Sequence, residues 1–528
     1  MKRVLVWAIP ALLVLIGIGA WYSSAFLWLF AVLVPMLVLT AWDLLQPRHS
    51  LLRNYPVFGH LRYLLEEFRH QIRQYFIEGD REEVPFSRLQ RSVVYRRAKG
   101  VDDSVPFGKL VNVYEPGYEW LEHSMAPCEP ADEEPRVTVG NAQCAQPYSA
   151  SRFNISAMSF GSLSSNAILA LNLGAKEGGF FHDTGEGGIS RYHTRHGGDL
   201  VWEIGTGYFG CRTPAGRFDA GLFRDKAASP QVKMIELKIS QGAKPGGGGL
   251  LPGVKVTAEI AQARGIPIGE DCHSPPAHRE FSTPVGMLEF LARLRELSGG
   301  KPVGFKLCIG RRHEFLAVCK AMHETGIHPD FVTVDGSEGG TGAAPPELMQ
   351  SIGLGMRDGL IFVHNALVGT GVRSDTRVIC AGKIVSGFDI AAKLALGADI
   401  CNSARGMMFA LGCIQARACN RNKCPTGIAT QDPWRMHGLS VPDKSARVAR
   451  YHAGTLRHLR MVLGACGLTD PAALRPEMLW RRITQLESRN YRQLYRWLEP
   501  GELLAGSPGE DWERWWREAQ PGSFAHAA

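Results

Sequence analysis

Residues Phe331-Val332-Thr333-Val334-Asp335-Gly336-Ser337-Glu338-Gly339-Gly340-Thr341-Gly342-Ala343 join a short apolar run to a glycine-rich loop. The run is too short for a helix and rich in β-branched residues, so it reads as a buried strand. The loop leaves bare backbone N–H groups at the carboxyl end of that strand, where phosphate oxygens can approach them. Similar units lie on both sides of it. Strand candidates are residues 154–158, 180–184, 234–239, 268–272, 303–308, 331–334, 378–380 and 399–402. Helical stretches fall between most of them, at 164–176, 284–297, 314–325 and 386–396. Eight strands with intervening helices over about 250 residues predict an α/β fold, a (β/α)8 TIM barrel. In that fold the active site gathers at the carboxyl ends of the strands.

Those ends carry the unusual residues. They are Ser156 to Gly161, Asp183 to Gly188, Gln241 to Gly249, Lys306, Asp335 to Ala343, and Ala381-Gly382-Lys383. Glycine loops at the ends of the late strands are where barrels of this type hold a phosphate. The chain has no G-x-G-x-x-G joining a strand to a helix in a separate nucleotide domain, and no Walker sequence.

Beyond the last strand, Cys413, Cys419 and Cys424 form a C-x5-C-x4-C loop closed by Pro425. Three soft thiolates on one loop suit an iron–sulfur cluster. A tetrahedral structural zinc would need a fourth ligand, and no histidine stands at zinc-finger spacing. Three ordinary buried cysteines would give the same spacing. The other cysteines are dispersed through apolar runs, unlike a secreted disulfide scaffold. They read as reduced thiols of a cytosolic domain.

At 528 residues the chain is too long for one ordinary core. Its net charge of +8 comes from scattered basic residues, which argues against nucleic-acid binding. Residues 4–42 contain no charge and split at Tyr22-Ser23-Ser24 into two apolar runs. Each run can just cross a hydrocarbon layer about 30 Å thick. Lys2 and Arg3 precede them, and Arg48, His49 and Arg53 follow. Positive charge at both ends predicts a hairpin in the cell inner membrane, crossing it twice, with the catalytic domain cytoplasmic. A signal peptide cleaved near Ala20 is the alternative. The expected organisation is a hairpin at 1–45, a helical collar and linker at 46–150, the barrel with its cysteine loop at 151–435, and a helical segment with a tryptophan-rich tail at 436–528. In the collar, Leu61, Leu64, Leu65, Phe68, Ile72 and Phe76 recur at helical spacing. Residues 126–150 read as a loop. Residues 448–466 and 474–483 read as helices, and the tail is able to dock on the domain, the membrane interface or a partner.

From about Asn154 to Pro433 the chain resembles the FMN-binding synthase domain of glutamate synthase. The motifs that carry the likeness are Ser156 to Gly161, Thr184 to Gly188, Gln241 to Gly246 with Leu251-Pro252-Gly253, Ser274-Pro275-Pro276, Lys306-Leu307, Gly339 to Ala343, and Gly412 to Pro433. The hairpin and collar resemble a shorter, stand-alone branch of that family. The resemblance implies FMN across the barrel mouth, with its ring near Ser156, Ala157, Met158 and Ser159. Lys306 and Gln241 would be the catalytic pair beside the ring. Gly339, Gly340, Thr341, Gly382, Lys383 and Arg405 would hold the phosphate. Cys413, Cys419 and Cys424 would carry a 3Fe–4S cluster. The implied reaction reduces 2-iminoglutarate, formed from 2-oxoglutarate and ammonia, to glutamate.

The chain also departs from the family pattern. Gly246-Gly247-Gly248-Gly249 stand where the family has Gly-Glu-Gly-Gly, Ser337-Glu338 where it has His-Asp, Cys308-Ile309-Gly310 where it has Val-Ser-Glu, and Lys383 where it has an arginine. His193, Arg191, Arg195, His273, His278 and Arg279 are candidate replacements for the groups that fix a dicarboxylate. Neither an amidotransferase nor a pyridine-nucleotide domain is apparent. Ammonia would then be free or come from a partner, and electrons would come from a ferredoxin or a reductase subunit. Two other readings compete: a synthase using a different amine or oxo acid, and a non-catalytic membrane electron-transfer component. A hydroxy-acid oxidase lacks support, because no catalytic histidine stands in an obvious strand-end motif.

Overall fold

The computed structural model describes residues 2–525, and the side chains of residues 2–6, Ala8 and Ile9 lie outside what it describes. The chain divides into two compact units, Met1–Arg88 and Leu89–Ala528. In the first, helices Lys2–Tyr22 and Leu27–Leu45 are joined by a turn at Ser24–Phe26. Its apolar side chains are largely exposed, among them Trp21, Trp28 and Trp42. Among the described residues, Ser24–Leu45 is long and apolar enough to cross a membrane. Asp43, at the end of that stretch, is buried and accepts hydrogen bonds from the Val57 amide (2.9 Å) and His60 (2.9 Å). The collar helix Phe58–Ile72 follows, continued by a wider turn at Arg73–Ile77.

The second unit is built on a closed barrel of eight parallel strands. In chain order they are β1 (Phe153–Ile155), β2 (His182–Asp183), β3 (Leu200–Ile204), β4 (Val232–Lys238), β5 (Val303–Leu307), β6 (Phe331–Asp335), β7 (Arg377–Ala381) and β8 (Ile400–Ser403). Each pairs with its neighbour in sequence, and β8 closes on β1. The predicted fold class therefore holds, with one exchange of strands. Residues 268–272 are not in the barrel. Cys272–His273 pairs with Leu250–Leu251 in a separate two-stranded ribbon. The strand that was missed is β3, whose Glu203 interrupts an otherwise apolar run because its side chain belongs inside the barrel.

Residues 126–150 also differ from expectation. Arg136–Val139 and Tyr148–Ser151 form an antiparallel hairpin. Its Val137, Val139, Tyr148 and Ala150 share one buried cluster with Phe181, Val201, Met234, Phe331, Ile379 and Ile400. Those six come from or adjoin barrel strands, so the hairpin closes the barrel at the end away from the glycine loops. Alternating burial along Arg136–Val139 is the strand signature that the local Pro and Glu content hid.

Residues 474–483 are not a helix either. Leu479–Arg482 is the middle strand of a small sheet with Glu119–Leu121 and Ser488–Asn490. Trp480 stacks on Trp120 across the first pairing. Glu119 takes hydrogen bonds from Arg357 (2.6 Å), Arg481 (2.7 Å) and Tyr491, which ties the sheet to a barrel helix, Met356–Gly369. The tryptophan-rich tail docks on the same unit: Trp497 and Trp512 are buried, and Trp512 stacks on Phe362 at 5.1 Å. The predicted helix at 448–466 is the last part of a longer one, Val441–Ala465.

Candidate active site

Five consecutive strands, β2 to β6, send charged side chains inward at or near their carboxyl ends: Asp183, Glu203, Lys238, Lys306 and Asp335. Lys238 and Lys306 are register partners on β4 and β5, so their ammonium groups start at the same level. Lys306 is buried and contacts the Glu203 carboxylate, Glu236 (3.1 Å) and Asp183 (4.0 Å). Thr333 donates a further hydrogen bond to Glu236 at 2.5 Å. The oxygens of Asp183, Glu203 and Glu236 gather within 4.8 Å, close enough to hold a cation. The Lys306 ammonium supplies that cation here.

Burial pushes the Asp183 and Glu203 carboxyls up, and Lys306 only partly offsets the shift. Asp183 is raised well above the usual range and keeps its proton most readily. Burial alone would lower Lys306, but Glu203, Glu236 and Asp183 outweigh it and hold the ammonium charged.

Lys238 lines the cleft. It bridges Glu186 (3.1 Å) and Gln241 (3.2 Å) and lies 3.7 Å from Glu203. Glu186, Thr206, Lys238, Ser240 and Gln241 line a narrow cleft with Gly246 to Gly249 and Pro275-Pro276. Burial favours the neutral form of Lys238, but Glu186 and then Glu203 keep its proton affinity high. Two further residues fix this wall. His278 lies 2.8 Å from the Lys238 carbonyl, and Lys244 donates to the Ala343 carbonyl at 3.1 Å, linking the loops after β4 and β6. Burial takes Lys244 down to about 8.

Gly248 has no room for a side chain: a Cβ would lie 1.9 Å from the Ser274 carbonyl oxygen. At Gly249 a Cβ would meet Glu186 at 2.2 Å. The carboxylate lining this cleft is Glu186. Gly242 is as constrained, since a Cβ there would fall 1.8 Å from the Gly336 carbonyl. Asp335 accepts from the Gly242 amide at 2.8 Å and locks the two loops together. Gly242→Ala is expected to lower the melting temperature by several degrees and shift the loops lining the cleft, read by thermal unfolding.

The loops after β6, β7 and β8 converge as the sequence suggested. A Cβ at Gly340 would lie 3.0 Å from the Arg405 guanidinium, and one at Gly382 would lie 3.2 Å from the Glu338 carboxylate. Arg405 donates to the Glu338 carbonyl at 2.6 Å. Glu338 in turn accepts from the Met356 amide at 2.9 Å. Lys383 adopts a left-handed backbone (φ 50°) and is half-buried. Burial lowers both cations, and Arg405 comes down to about 10. Bare backbone with two cations in a desolvated corner fits a phosphate group. On the β1 side, the Met158 amide donates to the Asp183 carbonyl at 3.3 Å, and a Cβ at Gly185 would meet the Ser159 amide at 2.8 Å. Ser156 donates from its amide to Ser403 on β8 at 3.2 Å, so Ser156 to Ser159 sit at the same mouth. Thr341 is half-buried in the β6 loop.

All twelve cysteines are free thiols. Cys413 follows the helix Arg405–Leu411, Cys419 opens a short turn and Cys424 is buried. Each of Cys413 and Cys419 feels the charge of Cys424, so the three sulfurs share one neighbourhood. Burial raises the Cys424 thiol, but Thr426 and the amides of Ala429, Thr426 and Ile428 together bring it below the ordinary range. The Cys419 amide carbonyl also receives the buried Lys255 ammonium at 3.4 Å. Three thiols with amide donors around one of them fit a three-thiolate cluster.

The family model for the conserved region in glutamate synthase matches residues 121–469, more than half of the chain and all of the site just described. The chain belongs to the glutamate synthase family. As a glutamate synthase-like protein it is an oxidoreductase of the class acting on CH–NH2 groups. It is 38% identical over 480 residues to the glutamate synthase large subunit-like protein YerD of Bacillus subtilis, covering 82% of this chain and 91% of that one. It is 33% identical over 320 residues to an archaeal-type glutamate synthase [NADPH] of Thermotoga neapolitana, covering 60% of each chain. Among solved structures, a mandelate oxidase with bound (S)-2-phenylpropionate aligns at 14% identity and a TM-score of 0.42, over 76% of this chain and 98% of that one, too slight a likeness to argue from.

Of the family-implied residues, Gln241 lines the cleft, whereas Lys306 lies deeper among carboxylates. Sequence reasoning missed Lys238, Glu186 and Lys244 as individual site residues. The signal was present for Lys238: Glu236 and Lys238 are two charges spaced two apart in an apolar strand, which places both inside the barrel. Of the six candidate replacements, none lines the cleft. His193 caps a turn through Ser190, Arg191 pairs with Glu259, and His278 braces Lys238.

Proposed function

We propose that this glutamate synthase relative binds FMN and a 3Fe–4S cluster and reduces 2-iminoglutarate, formed from 2-oxoglutarate and ammonia, to L-glutamate. Electrons come from a separate donor, a ferredoxin or a reductase subunit. The observation that carries the reading is the position of Arg405. It lies against Gly340 in the phosphate corner and within charge reach of Cys413, so the two cofactor loops are neighbours. Residues 151–435 bear the cofactors, and residues 1–45 anchor the chain in the cell inner membrane as a hairpin, with lipid as its partner.

FMN held at this mouth would supply hydride chemistry, and a cluster held by Cys413, Cys419 and Cys424 would supply one-electron chemistry. The chain's own residues do the rest. Lys383, Arg405 and the amides of Gly339, Gly340, Thr341 and Gly382 hold the phosphate. Ser156 to Ser159 and Gln241 border the ring. Lys238, kept charged by Glu186, presents an ammonium to a substrate carboxylate and a proton to the imine nitrogen. Lys306, among Asp183, Glu203 and Glu236, sets the charge of the barrel interior beside them. A related synthase taking another amine or oxo acid is the second reading, supported by Gly246 to Gly249, which carry no carboxylate where the family's loop has one.

The test is an absorption spectrum with flavin and iron assays on anaerobically purified protein, then dithionite reduction and addition of 2-oxoglutarate with ammonium. Flavin reoxidation with glutamate appearing supports the reading. A reducible flavin that ignores both substrates moves the assignment to another imine, and absence of flavin overturns it. Cys419→Ser is expected to lose iron while keeping FMN and the melting temperature within a few degrees, measured on the same samples.

A further inference from the structure

A second cavity, of about 300 Å³, opens in the Leu89–Ala528 unit away from the cleft. Its walls are Tyr95, Ala98, Phe409, Ala410, Gly412 and Ile414, and Lys99, Lys444 and Arg447 complete the lining. Tyr95 and Phe409 meet edge to face at 6.0 Å, and Ala98, Phe409 and Ala410 are buried, so the interior is apolar and preformed. The charge at its edge is net positive, three cations to one carboxylate. Asp443 pairs with both Lys444 (3.1 Å) and Arg447 (3.0 Å), one carboxylate shared between two cations, and Lys99 adds a third.

Neither the proposed reaction nor the proposed electron path uses this cavity. An apolar chamber at the small end of the ligand-pocket range, ~300–1,000 Å³, that is ringed by cations selects a ligand with an apolar body and an anionic head. We propose that it binds one anionic amphiphile: an acyl chain in the apolar chamber, with its carboxylate or phosphate at Lys99, Lys444 and Arg447. A simple phosphate or a dicarboxylate leaves the apolar wall unused, and a neutral chain leaves the net positive charge of the edge unused. Each methylene withdrawn from water into such a wall favours binding. The ligand touches the chain on both sides of Cys413, because Gly412 and Ile414 are wall residues and the Tyr95 hydroxyl donates to the Cys413 carbonyl at 2.5 Å. Occupancy therefore stiffens the start of the cysteine loop.

The experiment uses the full chain in nanodiscs of neutral phosphatidylcholine. Decanoate and decanol are titrated by calorimetry, with amide hydrogen exchange followed at residues 412–415. The expected result is one decanoate per chain, bound at least tenfold more tightly than decanol, with slower exchange in that segment. Lys99→Glu should weaken decanoate about tenfold and leave decanol unchanged. Ile414→Trp, at a partly exposed wall position, should block both. Decanoate binding no tighter than decanol, or indifferent to both variants, overturns the proposal. A parallel arm uses phosphatidylglycerol nanodiscs and native mass spectrometry. A retained phospholipid lost in Ile414→Trp assigns the site to membrane lipid, and decanoate binding without it assigns the site to free fatty acid. Both outcomes uphold the shared chemistry. Flavin and iron contents of the same samples report on the proposed enzyme separately.

Discussion

Lys306→Met is expected to destabilise the barrel by about 3–5 kcal/mol, the cost of removing one partner from a buried ionic cluster. Asp183, Glu203 and Glu236 would remain together within 4.8 Å, with no ammonium between them. Lys306 is the charge that lowers the Asp183 and Glu203 carboxyls against their burial. Without it, both must take up protons in the folded state. A group whose folded pKa lies above its unfolded value contributes full stability only below the unfolded pKa and loses it as pH rises through the folded one. The deficit of Lys306→Met should therefore be small near pH 4 and grow steadily toward neutral pH. Urea unfolding at several pH values reads this directly. Glu203→Gln added to Lys306→Met should recover a large part of the loss at pH 7. A deficit that does not change with pH would mean that Lys306 acts by packing alone.

Lys238→Met is expected to lower kcat by about 100-fold or more, the usual consequence of deleting a charged donor from a desolvated site. Lys238 is the only lysine among the residues lining the cleft, and Glu186 and Gln241 both aim at its ammonium. Flavin content should stay near that of the parent protein, because the phosphate corner at Gly340, Lys383 and Arg405 is formed by different loops. Steady-state kinetics with 2-oxoglutarate and ammonium, beside flavin occupancy and melting temperature, separate the role in catalysis from one in folding. Lys238→Arg should retain the charge but recover little activity, since the guanidinium is larger than the space between Glu186 and Gln241. Full activity in Lys238→Met would return the catalytic role to Lys306.

The contrast between these two lysines shows where sequence reading stops. Lys306 stood out in the sequence because it follows a clear apolar strand and belongs to a family motif. Its surroundings were invisible, because Asp183, Glu203 and Glu236 come from three other strands. Lys238 was legible only through its two-residue spacing from Glu236. The same limit explains the exchanged strand. An inward-facing acid made β3 look unlike a strand, and residues 268–272, a turn that runs into the ribbon strand Cys272–His273, looked like one. The count of eight survived because one error replaced the other.

By itself the sequence determined the repeating strand-and-helix order, the glycine loops, the three-cysteine spacing and the uncharged amino-terminal block. These are local patterns: periodicity, φ freedom and thiol spacing are written in neighbouring residues. The tertiary structure decided which charges meet. It placed Lys306 among carboxylates and Lys238 at the cleft, closed Gly248 to any side chain, plugged the barrel floor with a hairpin and docked the tail on Phe362. Electrostatic energy depends on distances of a few ångströms between groups that lie tens or hundreds of residues apart. Only barrel closure sets those distances.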